Sequence, residues 1–120
     1  MKREILQGRR AEDIALEYLL QRGYVLRERN WRSSHKEIDL IMESENYLHF
    51  VEVKSLTTAS GFFPGDNVTK QKQRNLICAA RNYIIKKRIE KEAQFDVISI
   101  TFTKDGYDLE YMPAAFFSFF

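Results

Sequence analysis

The sequence has few of the residues on which covalent cross-links, thiolate metal sites and membrane spans depend. Its 120 residues include one cysteine, Cys78, with two histidines, two prolines and five glycines. A single thiol excludes an internal disulfide and a cysteine-rich zinc site. The most apolar run, residues 114–120, is much shorter than the ~20 residues that a transmembrane helix needs. We therefore expect one cytoplasmic domain over residues 1–120, with no membrane partner.

Neither sign of charge is in large excess, but each sign is concentrated in particular segments. There are 19 Lys and Arg against 17 Asp and Glu, for a net charge of +2. Residues 37–69 carry six acidic side chains and one basic one, whereas residues 70–91 carry eight basic and one acidic. An acidic centre beside basic segments suits a cation site next to a phosphate-binding surface. Solvated helix faces produce the same pattern, and both interpretations stay open at this point.

The hydrophobic periodicity predicts alternating helices and strands. Apolar residues at helical spacing indicate one helix near 4–22 and another near 68–92, while short β-rich runs indicate strands near 24–29, 38–42, 47–54, 95–102 and 107–112. The segment 56–67, with glycine and proline, is predicted to be a loop. A helix between the third and fourth strands permits a parallel crossover, so we expect an α/β fold with a central mixed sheet flanked by helices.

The second predicted strand contains an acid among branched apolar residues. Strand alternation places Ile38, Leu40 and Met42 on one face of the sheet. Asp39 and Ile41 then lie on the opposite face. An acid at this position breaks the simple core pattern, because a buried charge is costly unless it is paired or binds a ligand.

The third predicted strand places Glu52 and Lys54 on one face, because they are two residues apart. If a short turn joins the two strands into a hairpin, Asp39 lies across from Glu52. Two adjacent carboxylates repel each other, and a divalent cation between them removes that repulsion. Hard oxygen ligands predict Mg²⁺ or Mn²⁺, with Lys54 beside the ion to act on water or phosphate. The alternative is a solvent-exposed face on which Glu52 and Lys54 form an ordinary ion pair.

These blocks resemble the YraN-like family of uncharacterised bacterial proteins. The resemblance covers roughly residues 8 to 117, and its most specific parts are EIDLI at 37–41 and FVEVK at 50–54. Further matches are GRRAE at 8–12, RNWR at 29–32, VT at 68–69 with KQ at 72–73, and FDV at 95–97. The family is similar to the restriction-endonuclease-like superfamily of PD-(D/E)xK nucleases, and within it to Holliday junction resolvases.

The resemblance implies a role for individual residues. Asp39, Glu52 and the carbonyl of Val53 match the ligands of one or two Mg²⁺ ions, and Lys54 matches the lysine of the E-x-K element. Glu12 matches an additional acid on the first helix, and Gln73, next to Lys72, matches a polar position that supports the site. The implied catalytic set is Glu12, Asp39, Glu52, Lys54 and Gln73.

The implied substrate is DNA, which the basic segments would contact. The candidate contacts are Arg9, Arg10, Arg32, Lys36, Lys70, Lys72 and Arg74. The sequence departs from the family at two positions, since Lys36 and Ala11 stand where glycine is common. Neither departure removes an implied ligand.

The function predicted from these observations is that of a Mg²⁺-dependent endodeoxyribonuclease acting on DNA, with branched DNA such as a Holliday junction as one substrate. Two alternatives remain: a catalytically inactive nucleic-acid-binding module, and a scaffold that binds a partner. The phenylalanine-rich segment 114–120 predicts either packing against the sheet or contact with a second subunit, so a homodimer is a further expectation.

Overall fold

The computed structural model describes residues 2–57 and 68–117, with side chains described from Leu6 onward. Over these residues the elements are α1 (Lys2–Gln21), β1 (Val25–Ser33), β2 (Lys36–Glu43), β3 (Tyr47–Thr57), α2 (Lys70–Lys87), β4 (Glu92–Phe102) and β5 (Tyr107–Phe116). The predicted element order is confirmed, and so is the α/β class. The architecture is compatible with a restriction-endonuclease-like core.

The described strands form one mixed sheet in which spatial order follows chain order, β1-β2-β3-β4-β5. The first three strands are an antiparallel meander, and β4 pairs with β5 in the same antiparallel way. In contrast, β3 and β4 are parallel and stay in register from Tyr47 opposite Glu92 to Thr57 opposite Phe102. The predicted crossover through α2 is what allows this parallel pair.

Each helix covers one face of the sheet. From α1, Ala11, Ala15 and Leu19 are buried against one face. From α2, Leu76, Ala79, Ala80 and Tyr83 pack on the other face. Neither α1 nor α2 combines the length and apolarity that spanning a bilayer would take.

The second helix ends earlier than its apolar pattern predicted. It stops at Lys87 because Arg88 adopts a left-handed conformation, with φ of 53°, and its backbone N–H donates to the carbonyls of Ile84 and Ile85. This is a helix C-cap that is usually built on glycine. Residues 89–91 then connect to β4, so the predicted helix near 68–92 is five residues too long at its end.

The pairing of the first two strands is irregular at two points, and the first is a register shift between Leu26 and Glu28. Asn30 has a positive φ of 53° inside β1, and the register between the two strands skips the pair that it would make with Asp39. Asparagine tolerates this conformation better than most residues. The predicted face of Ile38 is consequently wrong: it packs under α2 with Ile41, while Leu40 lies in the cluster under α1.

The last strand is longer than predicted and includes part of the phenylalanine-rich segment. Phe116 is buried and stacks on Phe95, with ring centroids 5.3 Å apart, whereas Phe117 is 77% exposed. Residues 118–120 and most of the predicted loop at 56–67 lie outside the described residues. Part of the phenylalanine-rich segment therefore packs against the sheet, which is one of the two arrangements expected from the sequence.

Candidate metal and phosphate site

Asp39 and Glu52 meet where β2 and β3 separate. The antiparallel ladder between these strands runs from Glu43 opposite Leu48 to Leu40 opposite Val51. One residue further on, the Asp39 carboxylate accepts the backbone N–H of Val53 at 2.8 Å. The side chain thus replaces a backbone acceptor of the neighbouring strand, which holds this carboxylate against β3 beside Glu52.

The surroundings of Asp39 favour its protonated form. Burial and the negative charge of Glu52 raise the pKa of Asp39 from 3.8 to about 8, and Glu12 and Glu37 add to the effect. The hydrogen bond from Val53 acts in the opposite direction but does not outweigh them. A cation placed between these carboxylates would remove the repulsion and release the Asp39 proton.

Glu52 is 7% exposed and forms an ion pair with α2. The Lys72 Nζ lies 2.8 Å from Glu52 Oε1. Burial and a hydrogen bond with the Lys72 side chain lower the pKa of Lys54 to about 8. Two carboxyl groups and two amines from three elements therefore occupy one neighbourhood, and the second amine comes from α2.

A cleft of about 280 Å³ opens from this cluster to solvent. Its lining residues are His35, Lys36, Glu37, Asp39, Glu52, Lys72, Asn75 and Leu76. Lys36, one of the predicted DNA contacts, borders the cleft, so the departure from the family glycine adds a positive charge at the entrance. Both acids are accessible from one side, as a metal site for a phosphate substrate needs.

Glu12 lies near this cluster but is already engaged. The Arg29 Nε donates to Glu12 Oε1 at 3.2 Å, and the other end of the same guanidinium is 2.7 Å from Asp13 Oδ1. Arg29 therefore fixes α1 relative to β1 and neutralises the predicted additional acid. The structure brings Glu12 within electrostatic range of Asp39 but shows it bound to Arg29.

Gln73 does not join the acids. Its amide Nε2 donates to the carbonyl of Val68 at 3.0 Å, just before α2, while the neighbouring Lys72 reaches Glu52. The Thr69 hydroxyl accepts the backbone N–H of Lys72 at 3.1 Å and caps the helix. Of the two adjacent polar residues, the described contacts place the lysine in the site.

The other predicted DNA contacts are spread over three elements. Arg9 is exposed on α1, and the Arg10 guanidinium lies over the Phe102 ring, 5.2 Å from its centroid. Arg32 is exposed and lies 3.4 Å from Glu37. Lys70 and Arg74 are exposed in the first turns of α2, but neither lines the cleft. Most of these cations are available to a phosphate backbone.

The donor set fits a hard divalent cation that keeps part of its water. In residues 2–57 and 68–117, no three His, Cys, Asp or Glu side chains converge as a ready-made metal cage. Mg²⁺ is commonly bound through one or two carboxylates, with waters and substrate phosphates completing the octahedron. Asp39 and Glu52 provide that pair of carboxylates, and the ammonium of Lys72 already stands where a cation would bind Glu52.

The larger concavity of the described surface lies elsewhere. A groove of about 750 Å³ runs between α1 and β5 and is lined by Tyr18, Tyr107 and Tyr111 among others. Neither Asp39, Glu52 nor Lys54 borders it. We place the candidate site at the smaller cleft, because that is where carboxylates and amines of opposing charge converge.

Comparison with known sequences identifies the family. The model of the "Uncharacterised protein family UPF0102" matches residues 11–100. UPF0102 protein BF0634 of Bacteroides fragilis is 36% identical over 112 residues, which make up 93% of each chain. A UPF0102 protein of Persephonella marina is 37% identical over 112 residues, covering 88% of this chain and 97% of that one. The chain belongs to the UPF0102 family. UPF0102 is the YraN family, so the family predicted from the motifs is confirmed.

The UPF0102 match includes the whole candidate site. Residues 11–100 contain Glu12, Asp39, Glu52, Lys54 and Lys72, together with the strands and helix that carry them. The region that defines UPF0102 is therefore also the region in which the acids and amines converge.

A second buried polar cluster in this UPF0102 protein was not predicted. The Asp96 Oδ2 lies 2.7 Å from both His49 Nδ1 and the Tyr111 hydroxyl, and Asp96 Oδ1 accepts the backbone N–H of Ala114 at 2.9 Å. The Ser44 hydroxyl is 2.7 Å from the other ring nitrogen of His49. The signal was present in the sequence, because Asp96 stands among apolar strand residues just as Asp39 does.

Proposed function

We propose that this UPF0102 protein is a divalent-metal-dependent endonuclease that hydrolyses phosphodiester bonds of DNA. Branched DNA, such as a Holliday junction, is the substrate form that the family resemblance favours. The supporting observation is the convergence of Asp39 and Glu52 at the open end of the β2–β3 ladder, with Lys54 beside them. Two neighbouring buried carboxylates are costly unless a proton or a cation lies between them.

Each residue of the cluster has a chemical role in this proposal. Asp39 and Glu52 provide carboxylate oxygens for Mg²⁺ or Mn²⁺, and the Val53 carbonyl is the third predicted ligand. When bound, the ion would supply a water of lowered pKa and positive charge at the phosphate. Lys54 has a pKa of about 8, so its amine can orient or deprotonate water near neutral pH.

The surface around the cleft supports a polyanionic substrate. Lys36 and Lys72 line the cleft, and Lys70 and Arg74 are exposed on the same helix as Lys72. The two lysines of the cleft place positive charge beside the acids, which reduces the repulsion between the two carboxylates and an approaching phosphate. A protein that only bound DNA would have no need of the acidic centre.

The decisive experiment is cleavage of branched, linear and single-stranded DNA with Mg²⁺ or Mn²⁺. We expect the wild type to cut at least one form, and Asp39→Ala and Lys54→Ala each to lower the rate by about 100-fold or more, as the removal of a transition-state contact does. Gel assays at matched protein concentration measure the rate. Glu45→Ala and Lys104→Ala are matched controls, because they remove the same charges at exposed positions.

Titration of Mn²⁺ by calorimetry provides an independent readout. We expect the wild type to bind Mn²⁺ and Asp39→Ala to lose that binding, while Glu45→Ala keeps it. Absence of cleavage of all three DNA forms with both metals, together with absence of Mn²⁺ binding, would refute the nuclease proposal.

A non-catalytic DNA-binding module is the second candidate, and one observation favours it. Lys72 neutralises Glu52, and Arg29 neutralises Glu12, so much of the acidic charge is compensated without metal. This candidate predicts salt-dependent DNA affinity that is the same in Mn²⁺ and in EDTA. Lack of DNA affinity at physiological salt would instead favour the partner-binding scaffold, for which the exposed Phe117 is one apolar contact.

A further inference from the structure

Lys72 is the member of the cluster whose position the nuclease proposal does not by itself explain. It lies in the first turn of α2, with its backbone N–H fixed by the Thr69 cap. Its ammonium is 2.8 Å from Glu52 Oε1, and its side chain is 46% exposed while that of Glu52 is 10% exposed. A flexible cation that reaches in from the surface thus covers a nearly buried acid.

The ammonium and a divalent ion would compete for the same oxygen. Mg²⁺ binds carboxylate oxygens at 2.0–2.1 Å, closer than the 2.8 Å between Lys72 Nζ and Glu52 Oε1. An ion at that distance would also repel the ammonium strongly, since little solvent separates them. The positive charges of Lys54 and Lys72 already repel each other, so a further positive charge would make this arrangement unfavourable.

The geometry also indicates where Lys72 would go. Its backbone is held by the helix cap, but the exposed stem can rotate toward the open side of the cleft. Lys36, His35 and Asn75 line that side with polar groups. A phosphate of the DNA substrate that approached the acids would pass this rim, within reach of the released ammonium.

We infer that Lys72 is an exchangeable counterion: it occupies the cation's place on Glu52 in the metal-free protein and binds a phosphate of the DNA substrate when a divalent cation takes that place. The inference rests on the proposed nuclease function and makes the predicted DNA contact of Lys72 depend on metal binding at Glu52. Metal binding thereby switches one lysine from an internal ion pair to the substrate.

The first test measures Mn²⁺ affinity by calorimetry for the wild type, Lys72→Ala and Lys86→Ala. Lys86 is the matched control, since it is exposed in the last turn of the same helix and carries the same charge. We expect Lys72→Ala to bind Mn²⁺ about five-fold more tightly, because the competing ion pair is lost, and Lys86→Ala to change by less than about two-fold. Lys72→Gln, which keeps a hydrogen-bond donor for Glu52, should tighten binding in the same direction.

The second test compares DNA affinity at several salt concentrations in Ca²⁺ and in EDTA, with a gel to confirm that the DNA stays intact. In EDTA, Lys72 is paired with Glu52, so Lys72→Ala should leave the slope of log affinity against log salt unchanged. In Ca²⁺ the same substitution should reduce that slope by about one, the signature of one lost phosphate contact.

The outcomes separate this inference from the nuclease proposal. If the wild type binds Mn²⁺ and both Lys72→Ala and Lys72→Gln bind it with the same or lower affinity, the proposed role of Lys72 is overturned. The nuclease proposal would still stand. A salt slope that falls equally in Ca²⁺ and EDTA would also overturn it, since Lys72 would then contact DNA without being released. Absence of Mn²⁺ binding in every variant would overturn both.

Discussion

Asp39 and Asp96 are two buried or nearly buried acids on neighbouring regions of one sheet, and their surroundings are opposite. Burial alone would raise the pKa of Asp96, but hydrogen bonds from His49, Tyr111 and the Ala114 backbone outweigh it and lower that pKa. Asp39 accepts a hydrogen bond from the backbone N–H of Val53 and faces Glu52. The difference shows that burial does not decide what a strand acid does; the charges and donors that converge on it do.

The comparison predicts different roles for the two residues. The Asp96 network joins the β2–β3 turn, β4 and β5 through donors that have no need of a metal. Because the carboxylate accepts, His49 donates from Nδ1, and its other nitrogen is left for the Ser44 hydroxyl. Asp96 is therefore a structural acid. Asp39 has spare lone pairs and lies beside the negative charge of Glu52, which suits cation binding.

The largest expected effect is on stability. Asp96→Ala should lower the free energy of unfolding by about 3 kcal/mol or more, because several buried donors lose their acceptor at once. Asp39→Asn should change it by less than about 0.5 kcal/mol or raise it, since the amide oxygen can still accept the Val53 N–H. Urea unfolding followed by circular dichroism measures both. Equal losses of unfolding free energy in the two variants would show that Asp39 is as much a structural acid as Asp96.

The pH dependence of stability should have opposite signs at the two sites. The pKa of Asp39 is about 8 in the folded protein and 3.8 when unperturbed, so the folded state retains a proton that the unfolded state has lost. Its contribution is complete below about pH 4 and declines as pH rises toward 8, by at most about 1.4 kcal/mol per pH unit. The lowered pKa of Asp96 makes its contribution fall as pH decreases below about 4.

Unfolding free energies of the wild type and Asp39→Asn between pH 5 and 8 test this. The difference between the two proteins should shift in favour of the variant as pH rises. A pH-independent difference would show that Asp39 is already ionised in the folded protein, and the contrast with Asp96 would lose its electrostatic basis.

The smallest expected effect concerns a third buried polar group. Among the described residues, the Ser99 hydroxyl is buried without a hydrogen-bond partner, on β4 directly opposite Lys54 in register. Ser99→Ala should raise the free energy of unfolding by up to about 1 kcal/mol, because a desolvated hydroxyl is removed with little loss of packing. A thermal shift of the purified variant checks the direction, and a marked loss of stability would mean that the hydroxyl is satisfied in solution.

The strand pattern was enough to predict that Asp39 and Glu52 would converge. A two-residue period and a short turn fix which residues of a hairpin face each other, so the spacing of EIDLI and FVEVK carries the geometry. The same reasoning failed for Ile38, because the left-handed conformation of Asn30 interrupts the alternation of the neighbouring strand. A single backbone irregularity of that kind has only a weak sequence signal.

The contribution of α2 was harder to predict. Lys72 and Gln73 lie four and three residues before the buried Leu76, so either one is compatible with the apolar stripe. Only the packing of the helix on the sheet decides which one points at Glu52. The contact of Arg29 with Glu12 was equally hard to predict, because it depends on how α1 packs on the sheet. Asp96 shows a second limit of sequence-based prediction. Like Asp39 it lies among apolar strand residues, yet hydrogen-bond donors surround it in the fold and a second acid does not.

The parallel pairing of β3 with β4 has a consequence for how the chain folds. The strands on either side of that junction are connected to their neighbours by short turns, so each of the two groups can form from local contacts. The long in-register ladder of β3 and β4 joins residues that are far apart in the chain, so its formation carries a larger entropic cost than the short turns do. Asp39, Glu52 and Lys54 all belong to the amino-terminal group, whereas Lys72 arrives with the crossover. The hairpin that carries the carboxylates can thus be assembled early, and its counterion is delivered only when the two halves of the sheet join.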